Sequence, residues 1–200
     1  MKAVFVSCLV VALLVLCEPV SAGIITQWDF ESTTSNDPSI GNGSYWLEGT
    51  ATWTGPVTLD TVNVITYSNG VGAGTGWAVS TAGYENINIS IFITRWDGYS
   101  GSRDWTWSYF DGTNWIDGPD FHVDSYSTGD TETFDLTALA GAANNPDFKF
   151  RVTRTTDMTY NSLTTKFDNV TISGTPIPEP ATMAMLIGTA LLGLRRRNNK

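Results

Sequence analysis

Cysteine is nearly absent. The chain of 200 residues has two, Cys8 and Cys17, both inside an apolar N-terminal stretch. Once that stretch is removed, no disulfide, thiol nucleophile or thiolate metal site remains. Leu16 stands where a lipid-attachment signal needs a small residue before its cysteine, which excludes that use of Cys17. Histidine is limited to His122. A zinc site would lack ligands, and a Ser-His-Asp site would have to use this one residue without any nucleophile elbow beside it. The residue reads as structural. Positive charge is scarce too. Gly23 to Thr175 carries 18 acids against six bases, a net of −12. Such a surface repels nucleic acid, which removes that class of partner. It also disfavours polyanionic polysaccharide unless a cation bridges. The plain account of the charge is an acidic, solubilising surface. No acidic cluster singles out a glycosidase pair. Phosphate-loop and dinucleotide fingerprints are missing, as are internal repeats and heptads.

What is present begins with a leader. Lys2 opens a short basic region, Ala3 to Cys17 is almost wholly apolar, and Val20-Ser21-Ala22 suits a cleavage site. Residues 1–22 read as a secretory signal peptide cut after Ala22. Residues 23–175 are long enough for one domain with a real core. This segment holds all eight tryptophans and is rich in Gly, Thr, Ser, Asn and Asp, the composition of an exported all-β domain with many turns.

Periodicity supports that class. In Tyr84–Arg95, Ile87, Ile89, Ile91 and Ile93 alternate with Asn86, Asn88, Ser90 and Phe92, the pattern of a half-buried strand. Trp105, Trp107 and Tyr109 alternate next, and Asp111-Gly112 turns the chain into a strand over Thr113 to Asp117. Phe148, Phe150 and Val152 alternate, then Val170 and Ile172. Weaker strands are expected at Ile24–Glu31, Val57–Thr66, Trp77–Thr81, Phe121–Tyr126 and Glu132–Leu136, and Thr137 to Ala143 reads as a helical turn. Nine or ten short strands, each with one apolar face, predict an antiparallel β-sandwich. Jelly-roll order is preferred; immunoglobulin-like and lectin-like sandwiches stay open. Sequons at Asn42, Asn88 and Asn169 carry little weight.

The last 25 residues, PIPEPATMAMLIGTALLGLRRRNNK, have three parts in order. Pro178, Glu179, Pro180, Ala181 and Thr182 form a Pro-rich motif. An apolar run follows to Leu194, then Arg195, Arg196 and Arg197. Ala181 to Leu194 as a helix spans roughly 21 Å, short of the ~30 Å hydrocarbon core, so insertion relies on flanking residues and local thinning. The arginines stay cytoplasmic under the positive-inside rule. The segment resembles the PEP-CTERM sorting signal. That resemblance implies an exosortase as partner, transient anchoring by a transmembrane helix in the inner membrane, and release to the cell surface or the extracellular space.

The central domain has a second likeness. WDFE, YENINISIFITR, DWTWSYFDGTNW, FDLTALAGAANNPDFKFRV and TKFDNVTISG occur in an order that resembles jelly-roll domains of exported proteins, similar in turn to carbohydrate-binding modules. Such modules often carry structural calcium, and the resemblance maps its ligands to Glu31 and Asp168, with Asp29 a weaker candidate. Calcium takes such oxygen ligands. Asp168 shares parity with Val170 and Ile172, so it is expected to face inward, where a lone carboxylate is costly. It then needs a cation, hydrogen-bond donors, an arginine or a bulge that turns it out. Sugar rings stack on aromatic faces. Trp96 and Tyr99 flank a Gly-rich loop with Asp97, Arg103 and Asp104, and are the candidate carbohydrate-binding residues. Trp105, Trp107 and Tyr109 read as a packed strand face. The leading expectation is a non-catalytic, exported surface or matrix protein, with exopolysaccharide as its candidate ligand. Two alternatives stay open: a small polysaccharide hydrolase or lyase on a concanavalin-like sandwich, and a structural adhesin that binds protein.

Overall fold

The structure is a computed structural model that describes residues 21–30, 37–49, 51–57, 61–66, 71–95, 104–123, 129–155 and 163–178. Eleven strands form among these residues: β1 Gly23–Trp28, β2 Ser44–Glu48, β3 Ala51–Val57, β4 Thr61–Thr66, β5 Gly74–Ala78, β6 Tyr84–Arg95, β7 Asp104–Phe110, β8 Trp115–His122, β9 Asp130–Asp135, β10 Lys149–Arg154 and β11 Leu163–Pro176. They pair antiparallel into two sheets. One has the order β3-β4-β11-β6-β9, with β1 added to the later part of β11; the other has the order β2-β5-β10-β7-β8. The described residues include no helix, so none long and apolar enough to cross a membrane. The expected signal peptide and apolar tail lie outside the described residues, apart from Ser21, Ala22 and residues 176–178.

Alternation puts the apolar faces together. Ile87, Ile89, Ile91 and Ile93 of β6 are all fully buried, and so are Phe150 and Val152 of β10. Phe167 on β11 crosses to the opposite sheet, with its ring 6.0 Å from Trp77 and 5.7 Å from Trp105, both edge-on. Phe134 on β9 reaches across likewise, 5.1 Å from Phe150 and 5.7 Å from Trp107. Edge and tilted contacts of this kind suit ring quadrupoles. The indole N–H groups of Trp28, Trp77 and Trp105 are buried with no acceptor among the described residues. These side chains are therefore held by area and ring packing rather than by hydrogen bonds.

Four expected strands differ. Val57–Thr66 is not one strand: β3 ends at Val57 and β4 starts at Thr61, paired as neighbours. Trp115–Asp117 and Phe121–His122 belong to one strand, β8, whose register shifts between Thr106 and Ser108, and residues 124–126 lie outside the described residues. β1 stops at Trp28, because Phe30 takes a left-handed φ of 49°. At Thr137 to Ala143 the chain makes successive turns, with Leu139 N–H donating to Leu136 O and Ala142 N–H to Leu139 O.

Truncation in the middle of β6 tests this core. Ile89→Ala removes a fully buried side chain and should cost about 2–5 kcal/mol, read as a lower denaturant midpoint at unchanged slope. A cost near zero would mean that the isoleucine row does not face the second sheet.

Candidate functional site

The outer face of the five-stranded sheet gathers the polar and aromatic side chains that the core does not use. Strand register sets its rows. One row runs Trp46, Gly76, Arg151, Ser108, Asp117; the next runs Ser44, Ala78, Lys149, Phe110, Trp115. Strand β5 contributes only Gly74, Gly76 and Ala78 to this side, which leaves a trough beside the centre of the sheet. Trp46 lies in it. A Cβ on Gly76 would stand 2.3 Å from its Cζ2 atom, so glycine is required there for the indole to lie flat. Trp115 comes from the other edge, and the two rings meet 6.2 Å apart at 62°.

Arg151 links them. Its guanidinium sits 4.0 Å from the Trp115 ring centre, close enough for a cation–π contact. Its Nη1 donates to Glu48 Oε1 at 3.4 Å and its Nε to Ser108 Oγ at 3.4 Å. Glu48 Oε1 also accepts from Trp46 Nε1 at 2.8 Å, and Ser108 donates to Asp117 Oδ1 at 2.8 Å. In the next row Lys149 Nζ lies 5.1 Å from the Phe110 centroid, and Phe110 lies 5.8 Å from Trp115. At that end the face opens into a pocket of about 420 Å³, lined by Asn42, Ser44, Ser80, Asp147 and Lys149 among others. Pockets of this size hold small molecules or single units of a polymer.

The framework around the face is tied by two side chains. Asn145, nearly buried, donates from Nδ2 to Phe110 O at 3.0 Å and Gly141 O at 2.7 Å, and accepts from Asp147 N–H at 2.9 Å. It thereby joins the pocket wall to the end of β7. Asp111 closes the turn that delivers Trp115: Oδ1 accepts from Thr113 N–H and Asn114 N–H, each at 2.7 Å. Those bonds, Asn114 first, hold its carboxyl below the usual carboxylate range.

The expected sugar contacts divide. Trp96, Tyr99 and Arg103 lie outside the described residues. Asp104 opens β7 and shares the outward parity of Ser108 and Phe110. Its Oδ1 is 2.6 Å from His122 Nδ1, with both side chains half exposed. The single histidine thus pairs with a carboxylate across the β7–β8 hairpin. Trp105, Trp107 and Tyr109 are buried in the core, as their alternation implied. Trp46, Glu48, Lys149 and Arg151 were not foreseen as site residues. The signal for the last two was the alternation of KFRVTR, whose polar members must share the face opposite Phe150 and Val152.

Asp168 does not share the inward face of Val170 and Ile172. Pairing with β6 shifts register between Asp168 and Thr171, and Asn169 is left-handed at φ 47°. Phe167 and Val170 therefore both point inward, and Asp168 stands on the Phe92 side. Its Oδ1 accepts from Asn169 N–H at 2.7 Å and its Oδ2 from Asn169 Nδ2 at 3.3 Å. These bonds hold the nearly buried carboxylate in place at the bulge. Glu31 lies outside the described residues, and among those described no three acidic, histidine or cysteine side chains cluster as a metal site. In the sorting motif, Pro178 is described and exposed, while Glu179, Pro180, Ala181, Thr182, Arg195, Arg196 and Arg197 lie outside.

With this geometry in hand, comparison identifies two things. Residues 176–198 match the PEP-CTERM protein-sorting motif, so the chain carries the signal of an exported protein. The sandwich is similar to two solved carbohydrate-binding modules. One is the CBM22-1 xylan-binding domain of Xyn10C from Paenibacillus barcinonensis, at 10% identity and TM-score 0.51, covering 80% of this chain and 100% of that one. The other is the xylan-binding module CBM15, at 12% identity and TM-score 0.53, covering 78% and 100%. At such identity the likeness establishes the fold: an all-β antiparallel sandwich resembling the jelly-roll of these modules. No curated protein matches the chain in sequence.

The Asp111 turn makes a pH prediction. Its folded pKa is lowered, so its stabilising contribution is present above the unfolded value near 4 and is lost as pH falls through the folded one. Asp111→Ala should lower the melting temperature at pH 7 and reduce its fall on acidification. Equal pH profiles for the two proteins would remove the turn bonds from the account.

Proposed function

We propose that this chain is a non-catalytic polysaccharide-binding protein, exported and sorted by an exosortase. The observation that carries the binding half is the pair Trp46 and Trp115, drawn from opposite edge strands and bridged by Arg151 over the middle of one sheet. Aromatic faces take the apolar sides of sugar rings. Glu48, Arg151, Asp117 and Lys149 supply the acceptors and donors that hydroxyl groups need. The two solved structures of similar fold are by name xylan-binding, which supports a carbohydrate ligand and leaves the sugar of this chain to experiment. Glu48, beside Trp46, and Asp117, at the end of its row, are each bonded to neighbours, which favours binding over acid–base work. The sorting motif supports the other half. A signal peptide brings the chain through the membrane, the tail holds it there transiently, and the exosortase acts at Pro178–Pro180, with the cell surface or matrix as destination and the producer's exopolysaccharide as ligand. A calcium ion at Glu31 and Asp168 belongs to the proposal through the carboxylate at the β11 bulge, and would act on stability rather than on sugar contact.

Affinity electrophoresis through that exopolysaccharide tests the reading. The protein should be retarded without shortening the polymer. Trp46→Ala and Trp115→Ala should each weaken retardation about tenfold, or about 1.4 kcal/mol, with β-sheet circular dichroism retained. Calcium should raise the melting temperature and EDTA reverse it. Shortened polymer would replace the reading with a hydrolase or lyase. Retardation of both variants equal to that of the natural protein would move the site elsewhere, and no retardation of the natural protein would favour a protein-binding adhesin.

A further inference from the structure

The sandwich and the sorting motif share residues. Strand β11 pairs with β6 up to Pro176, opposite Tyr84. The next residue, Ile177, donates its N–H to Gly83 O at 2.8 Å. The motif match begins at 176, so Pro178 comes directly after a residue that is hydrogen-bonded to the fold. The acceptor turn is itself anchored. Gly83 takes a left-handed φ of 81°, and its N–H donates to Asn144 Oδ1 at 2.9 Å. Asn144 N–H donates to Tyr84 O at 2.8 Å. The fully buried Thr81 donates from Oγ1 to Ala142 O at 2.7 Å and accepts from Asn145 N–H at 3.0 Å.

Farther back the strand is locked more firmly. Gly174 pairs with Gly23 of β1, and a Cβ there would lie 2.9 Å from Ile87 Cδ1. Opening beyond Gly174 would uncouple β1 and disturb the core, whereas Thr175 is half-buried and Pro176 and Ile177 are exposed, a strand end of the kind that opens at low cost. Three freed residues add about 10 Å of reach at ~3.3–3.6 Å each. An enzyme that takes a peptide in extended form uses the same backbone groups that a sheet uses. Pro176 and Ile177 cannot serve both at once.

We propose that sorting of this protein is coupled to opening of the C-terminal end of β11. The processing enzyme engages the segment starting at Pro176 only when Thr175–Ile177 leave β6 and the Gly83 turn, so the fold itself sets how often the signal is offered. This rests on the exosortase reading above.

Pulse–chase of the full chain in its producing cell tests the coupling. The natural protein is compared with one carrying a Gly-Ser spacer of about six residues between Thr175 and Pro176, with Asn144→Gly, which removes the side chain holding Gly83, and with a deletion of Pro178–Pro180. Spacer and Asn144→Gly should both convert several-fold faster than the natural chain, and the deletion should not convert. Unchanged rates in the first two, with the deletion still blocked, would overturn the coupling and leave sorting intact. Conversion of the deletion at the natural rate would overturn both.

Discussion

Phe167 sets the relation between the two sheets. It leaves the six-stranded sheet and fits edge-on to Trp77 and Trp105 of the other. With no cysteine in the domain and few bases, cohesion rests on such ring contacts and on the isoleucine row of β6. The cost shows in three buried indole N–H groups without acceptors among the described residues. Each forfeits a hydrogen bond it would make in water, an expense of about 1–3 kcal/mol, and buries 150–250 Å² in exchange. A core built this way leaves the polar members of each strand nowhere to go but outward.

The outer face of the five-stranded sheet follows from that. Once Phe150 and Val152 point in, Lys149 and Arg151 must point out. Once Trp107 and Tyr109 point in, Ser108 and Phe110 point out. Small residues on β5 then decide the shape, because Gly76 lets Trp46 lie across the sheet to meet Trp115. Arg151 is held on three sides, by Glu48, Ser108 and the Trp115 ring. A face ordered before any ligand arrives loses little side-chain freedom on binding, which is how preorganisation improves affinity.

The long central strands were legible in the sequence because both sheets bury one face, and period two survives wherever that holds. Tyr84–Arg95 matches β6 from end to end. β2 was missed because SYWLE has no alternation to read: Tyr45 to Glu48 are all half-buried, with Tyr45 and Leu47 packed against the core and Trp46 lying over Gly76 of β5. The Val57–Thr66 reading ran through a strand reversal. Asp168 was turned the wrong way by a bulge, which adds one residue and inverts parity; its trace in sequence is Asn169, a residue type that tolerates left-handed φ. The site was harder still. Trp46 and Arg151 are far apart in the chain and meet only through the register of β2, β5 and β10, which local pattern does not encode.

The most direct test of the account follows the tryptophan indole N–H resonances by NMR while oligosaccharides of the producer's exopolysaccharide are added. The resonances of Trp46, bonded to Glu48, and of Trp115, under Arg151, should shift together and saturably, while those of the buried Trp28, Trp77 and Trp105 stay in place. Saturable shifts that spare Trp46 and Trp115 would contradict the claim that this sheet face is the binding surface.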